Sequence, residues 1–525
     1  MATQPDIIFL VLDTQRADRL GSYGNQRNLT PNLDRFAAQG AIFEMGISPA
    51  QWTIPSHASM FTGLYPTAHQ VTQSNMALGH DRLHLVEALQ QAGYETVGFC
   101  NNPLVGILNN GFKRGFDTFY NYGGAIPSVP EQSSRFPWPL SRLSRMYTQM
   151  LRRLSYPIQN FFARSDLAFR VSLNALLTPL WSRFANFKGQ NERSVRDVAA
   201  FLAERQRRPS RKPLFLFINL METHLPFSPP RRFVDQVAPY MRGDRDARQT
   251  MRRWNREAFR WPTPLAEPLS DLESQVLNDM YDAEVAYQDD YLAGLLQMLE
   301  ARDNKENTVT VVVGDHGDGF GEHGYMGHAF VAYQELVHVP LLVHWPRKIP
   351  AGRRVPYPVS TRRVYHTMLD AAGLSQAPLL NTSQASEIKK LTLLESLRGR
   401  DPEQREAYTE VYPPLNFVKA IEHRHPELLD QYGCRKVRRA LVKENFKLIQ
   451  VDARPDELFQ LDADPQELED LRRQRPGEVA TLNDQLNRIA TMVEMQRDNL
   501  TAGDAVDIEE DEALLQHLRG LGYIE

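Results

Sequence analysis

Four stretches of the chain are apolar almost without a break. Asp6-Ile-Ile-Phe-Leu-Val-Leu-Asp13 closes on a carboxylate, and similar runs recur at Leu214–Leu220, Thr308–Val313 and Val339–Val343. Strand side chains alternate between two faces, so a strand can be apolar throughout only where both faces are covered. These runs therefore predict central strands of a sheet layered between helices. Between them the apolar positions take helical spacing: Thr30–Gln39 behind a Thr-Pro start, Leu85–Gln91 before Gly93, and the long Asp271–Arg302. Strands alternating with helices predict an α/β fold with a mostly parallel sheet. No repeat of about 20–50 residues interrupts that rhythm.

Two regions depart from it. Residues from about 127 to 212 form an Arg-rich, apolar-rich insertion; between 131 and 212, 16 lysines and arginines stand against 5 acids. After about residue 375 the pattern becomes that of a smaller α+β unit. Arg438–Val451 reads as two strands around a Glu-Asn turn, with a helix expected from about Glu467. The expected organisation is a catalytic domain over 1–375 carrying the insertion, a smaller α+β domain over 376–500, and a tail over 501–525. That tail joins an acidic stretch, Asp504–Glu512, to a terminal helix at Leu514–Leu521.

Composition narrows the function classes. The chain has 525 residues and a formal net charge of -4, too balanced for whole-chain binding of nucleic acid. Mean hydropathy of -0.45 and the lack of any apolar run of about 20 residues argue against an integral membrane protein. With Cys100 and Cys434 alone, neither a disulfide framework nor a cysteine-rich metal site is available. Met1-Ala2-Thr3-Gln4-Pro5 lacks the basic and apolar segments of a secretory signal, so a cytoplasmic protein is the expectation.

Candidate chemistry collects in three segments: Leu12-Asp13-Thr14-Gln15-Arg16, Trp52-Thr53-Ile54-Pro55-Ser56-His57, and Gly314-Asp315-His316-Gly317. Asp13 and Asp315-His316 each close an apolar strand. Ligand crevices of open α/β sheets lie at the carboxyl ends of strands, so these groups are expected to converge on a metal ion. Pro55 suits a first helical turn and sets Thr53 beside a helix N-terminus, where exposed N–H groups favour an anionic group. A free hydroxyl is a weak nucleophile near neutral pH. A divalent cation on Asp13, Asp315 and His316, with Thr53 as fourth ligand, would activate it.

The chain resembles the sulfatase branch of the alkaline phosphatase superfamily. The likeness rests on the Asp13 strand, Thr30-Pro31-Asn32-Leu33-Asp34, Pro55-Ser56 with Thr62-Gly63-Leu64-Tyr65-Pro66, His224-Leu-Pro226-Phe227, Gly314-Asp-His-Gly317 and Val339-Pro340-Leu341. Phe446-Lys447-Leu448-Ile449 and Glu457-Leu-Phe with Asp464-Pro465 resemble that family's smaller domain. The resemblance implies a layered α/β/α fold and a metal-dependent ester hydrolase. It also implies one departure. Sulfatases similar to this chain carry Cys or Ser, converted to formylglycine, where Thr53 stands, and an Arg where His57 stands. A Thr here resembles instead the phosphodiesterases and phosphoethanolamine transferases of the same superfamily.

By the same resemblance His224 and His328 fall near the reacting group, as hydrogen-bond donors, proton donors or ligands of a second metal. His57 is expected to orient the Thr53 loop, and Arg16 and Asn75 to contact substrate oxygens. His69, His80 and His323 read as structural. The metal ligands lean to Mn²⁺ or Zn²⁺, while Ca²⁺ or Mg²⁺ also suits the oxygens. The expected activity is hydrolysis, or transfer, of phosphate or phosphonate esters through a Thr53 intermediate. Sulfate-ester hydrolysis and a non-catalytic metal-binding scaffold are the alternatives. The expected partner is an anionic ester substrate, with oligomeric state left open. Two apolar stretches of the insertion, residues 140–154 and Leu167–Phe187, are read as a helical lid or as an interfacial element meeting an anionic membrane.

Overall fold

The computed structural model describes residues 4–123, 188, 190–208, 210, 212–257, 260–376 and 382–506. The two expected insertion helices and the terminal helix at Leu514–Leu521 lie outside the described residues. Among those described, no helix is long and apolar enough to cross a membrane.

The apolar runs form the middle of an eight-stranded sheet. Its strands are β1 (Asp6–Leu12), β2 (Ala41–Ile47), β3 (Glu95–Cys100), β4 (Thr118–Asn121), β5 (Leu214–Leu220), β6 (Thr308–Gly314), β9 (Leu341–His344) and β10 (Arg353–Ser360), with the hairpin β7 (Gly319–Phe320) and β8 (Met326–Gly327) standing apart. The order is β10-β2-β9-β6-β1-β5-β3-β4. All pairings are parallel except those of β9, which runs antiparallel to both β2 and β6. Every residue of β1, β5 and β6 is buried, because both faces of these strands are covered. Ile7, Phe9 and Val11 enter one core, and Ile8, Leu10 and Leu12 enter the other. That two-sided burial is why their sequences do not alternate.

The long helix Asp271–Ala301 starts with a capping box between Ser270 and Glu273 and packs Leu292, Leu295 and Leu299 under the sheet. A second sheet, antiparallel in the order β11 (Glu406–Val411), β12 (Arg438–Lys443), β13 (Phe446–Val451) and β14 (Arg454–Gln460), is covered by the helix Pro476–Asp498. That helix begins nine residues later than the sequence pattern suggests. Glu467 takes a left-handed φ of 56°, which no helix continues, and Pro476 supplies the pre-set φ of a first turn. The strands β2, β3 and β10 were not among the apolar runs. β2 carries Glu44 and Gly46, and β10 is an edge strand with exposed arginines at its start.

Candidate active site

The register of the sheet brings the site together. Leu12 of β1 pairs with Gly314 of β6, so the next residues, Asp13 and Asp315, emerge side by side at the carboxyl ends. Leu12 also pairs with Leu220 of β5, whose continuation leads to Thr223 and His224. β2 ends at Ile47 on the same side, and the chain then enters the helix Thr53–Thr62. The hydroxyls of Ser48 and Ser56 donate to the Asp315 carbonyl at 2.5 and 2.7 Å, tying that helix to the end of β6. Thr14 takes a left-handed φ of 56°, rare for a β-branched residue. In that conformation its amide donates to Asp315 Oδ1 at 3.2 Å.

Two carboxylate oxygens are left open. Asp13 Oδ2 accepts from Asn102 Nδ2 at 2.5 Å, and Asp315 Oδ1 accepts from the amides of Thr14 and His316. Asp13 Oδ1 and Asp315 Oδ2 are buried with no hydrogen-bond partner among the described residues. His316 donates from Nδ1 to the Gly317 carbonyl at 2.8 Å, which leaves the Nε2 lone pair available. That Nε2 lies 3.8 Å from Asp13 Oδ1, 3.6 Å from Asp315 Oδ2 and 3.3 Å from Thr53 Oγ1. Burial pushes both carboxyls up to about 8, and at Asp13 the charge of Asp315 adds to it. Two acids buried this closely cannot both ionise without a cation between them. The donors of Asp13, Asp315 and His316 lie within 4.8 Å of one another and could hold a metal ion. Two carboxylates, an imidazole and an adjacent hydroxyl fit a divalent cation without selecting one.

His57 lies one helical turn from Thr53. Its Nδ1 donates to the Thr53 carbonyl at 3.0 Å, and Asn219 donates to its Nε2 at 3.3 Å. Burial pushes its pKa down to about 3, so the ring is neutral at physiological pH. His224 and His328 adjoin the group. Their ring centroids are 5.3 Å apart, and His328 lies 4.5 Å from His316. Burial, with the neighbouring His328, brings His224 down to about 3. Arg16 and Asn75 are placed otherwise. The Arg16 guanidinium is held by Asp18, Glu322 and the Asp318 carbonyl. Asn75 is exposed, with its carbonyl accepting from Val506.

Sequence reasoning missed three side chains that position the others. Asn102 caps the short helix Pro103–Gly106 through Oδ1 while its Nδ2 holds Asp13. Asn219 accepts from the Asn102 amide at 3.0 Å and donates to His57. Asp318 is fully buried and accepts from His328 Nδ1 at 2.9 Å. Asn219 could have been found, since an amide inside the apolar run of β5 needs a partner in the interior.

Residues 5–374 match the sulfatase family, and residues 321–496 match the N-sulphoglucosamine sulphohydrolase C-terminal family. An N-acetylglucosamine-6-O-sulfatase of Bacteroides thetaiotaomicron is 22% identical over 506 residues, covering 89% of this chain and 82% of its own. An arylsulfatase of Clostridium perfringens is 22% identical over 399 residues, covering 71% of this chain and 76% of its own. The crystal structure of a phosphonate monoester hydrolase of Agrobacterium radiobacter shares the fold, with a TM-score of 0.62 at 20% identity over 94% of this chain and 96% of that one.

Proposed function

The chain belongs to the sulfatase family of alkaline-phosphatase-like hydrolases, and from that premise we propose a metal-dependent hydrolase of phosphate or phosphonate esters that works through a covalent Thr53 intermediate. One observation carries the reading. Thr53 Oγ1 stands 3.3 Å from His316 Nε2, at the first residue of a helix and beside two open carboxylate oxygens. Asp13, Asp315 and His316 would hold the metal, with Thr53 as a fourth donor. Bound there, a divalent cation supplies Lewis acidity that lowers the hydroxyl pKa and offsets charge on the ester.

The remaining residues have separate tasks. The amides of Thr53 and Ile54, in the first turn of the helix, would serve as donors for the anion. His57 fixes the Thr53 turn through the Thr53 carbonyl. His224 and His328 bind non-bridging oxygens, protonate the leaving group, or recruit a second metal. Water then releases the product; an alcohol acceptor in its place would make the protein a transferase. The same reading divides the chain at about residue 375.

Sulfate-ester hydrolysis is the second reading, favoured by the sulfatase names of relatives aligned over most of the chain. A panel of p-nitrophenyl esters (phosphate, phenylphosphonate, bis-phosphate and sulfate), each with Mn²⁺, Zn²⁺, Ca²⁺ and Mg²⁺, separates the two. Turnover of phosphorus esters exceeding that of sulfate supports the first reading. Sulfate turnover alone overturns it.

A further inference from the structure

Asp318 lies outside the proposed ligand set, yet it is fully buried and one of its oxygens is spent on a single histidine. The local fold explains how the two meet. In the small antiparallel hairpin Gly319 pairs with Gly327 and Phe320 with Met326. Continuing that register by one residue sets Asp318 opposite His328. Glycine is required along this path. A Cβ on Gly317 would stand 2.0 Å from the Glu335 carbonyl, and one on Gly327, at φ +66°, would stand 2.4 Å from the Trp261 carbonyl. The turn is clamped from below, where Arg16 Nη1 donates to the Asp318 carbonyl at 3.1 Å and to Glu322 at 2.5 Å.

The result is a carboxylate–imidazole pair beside the proposed metal ligands. Asp318 Oδ1 lies 2.9 Å from His328 Nδ1, and the His328 ring lies 4.5 Å from the His316 ring and 5.3 Å from that of His224. We propose that Asp318 is a positioning residue that fixes His328 as the Nδ1–H tautomer and so presents Nε2 to the reacting ester. A carboxylate on one ring nitrogen sets the tautomer and makes the other nitrogen a better base, which takes up the proton that the Thr53 hydroxyl loses on attack and passes it to the leaving oxygen. This rests on the phosphoryl-transfer reading only for the identity of the ester, since the tautomer itself is a property of the resting protein.

Two measurements test it. The first needs no substrate: nitrogen-15 NMR of the histidine rings, with His328 assigned by comparison with His328→Gln. The wild type is expected to show His328 in the Nδ1–H form, and Asp318→Ala to lose that preference while Asp318→Asn, which retains an acceptor, keeps it. A wild-type Nε2–H tautomer, or the same tautomer in Asp318→Ala, overturns the proposal whatever the protein hydrolyses. The second is a double-mutant cycle on the best ester of the panel. Asp318→Ala should lower kcat about 100-fold with KM little changed, and should have almost no further effect in a His328→Gln background. Independent, multiplying losses would assign Asp318 to the fold alone and overturn the proposal. Absence of turnover with every ester would defeat the functional reading while the NMR result still decides the role of Asp318.

Discussion

Two buried groups of charges in this protein are built to opposite plans. Under the C-terminal sheet Lys447 and Glu467 are both fully buried, with Nζ 2.7 Å from Oε1. Each side chain brings its counterion, and the amide of Gln334 donates to the second carboxylate oxygen. At the carboxyl ends of β1 and β6, Asp13 and Asp315 are equally buried, yet the two rings that approach them, His57 and His316 at 3.4 and 3.6 Å from Asp315 Oδ2, both have their pKa lowered by burial. A closed pair of charges steadies the place where the C-terminal sheet meets the helix Gln334–Val337. An open pair of like charges costs stability unless something from outside completes it, so the open pair marks the chemistry.

The largest expected effect separates the nucleophile from the framework. If Thr53 attacks as proposed, Thr53→Ala should lower kcat on the order of 10⁴-fold and leave the melting temperature within a few degrees of wild type. Intact-mass analysis of quenched wild-type protein should find a phosphoryl adduct that the variant lacks. Retention of more than a tenth of the activity would remove Thr53 from the mechanism.

Asp13→Asn and Asp315→Asn come next. Each should lower bound metal and activity together by about 10²-fold, measured by elemental analysis and turnover at fixed metal concentration. The contrast between the two groups adds a second readout. In chelator-treated protein each of these variants should melt above wild type, since a buried carboxyl that must take up a proton to stay there has been replaced by a neutral amide. Lys447→Met should do the reverse and lower stability by about 3–5 kcal/mol, because Glu467 is left buried without its partner. Calorimetry on the three variants side by side checks both signs. A chelated Asp13→Asn protein that melts below wild type would mean the open pair is not a source of strain.

Much of this contrast was legible in the sequence, but unevenly. Strands buried on both faces announce themselves as unbroken apolar runs, so β1, β5, β6 and the carboxylates closing two of them could be read directly. Edge strands and strands interrupted by Glu44 or Gly46 carry no such signal. The positioning residues were less legible still. Asn102 matters because it caps one short helix and touches Asp13, a coincidence of two loops that are 89 positions apart. Asp318 meets His328 only through a two-residue hairpin pinned by glycines. Nothing in the sequence shows that Asp18 and Glu322 hold the Arg16 guanidinium, since one partner lies two positions away and the other 306.

The smallest effect lies where the β7–β8 hairpin meets the helix Gln334–Val337 and the turn after β14, and it is a matter of pH. His323 donates to Glu335 at 2.8 Å, shares a hydrogen bond with the Glu467 carbonyl, and stacks on Tyr333 with ring centroids 3.7 Å apart. Burial works against its charge, but Glu335, with Glu467 behind it, pushes its pKa up to about 9. A base whose folded pKa is raised binds its proton more tightly in the folded chain. Its contribution is therefore complete below the unfolded value of about 6.5 and is lost as pH rises through about 9, a change on the order of 1–3 kcal/mol. Denaturant melts of the wild type should show stability falling across that window. His323→Gln keeps a hydrogen-bonding side chain but cannot titrate, so its curve should be flatter over the same range. Parallel curves for the two proteins would show that this contact does not depend on the proton.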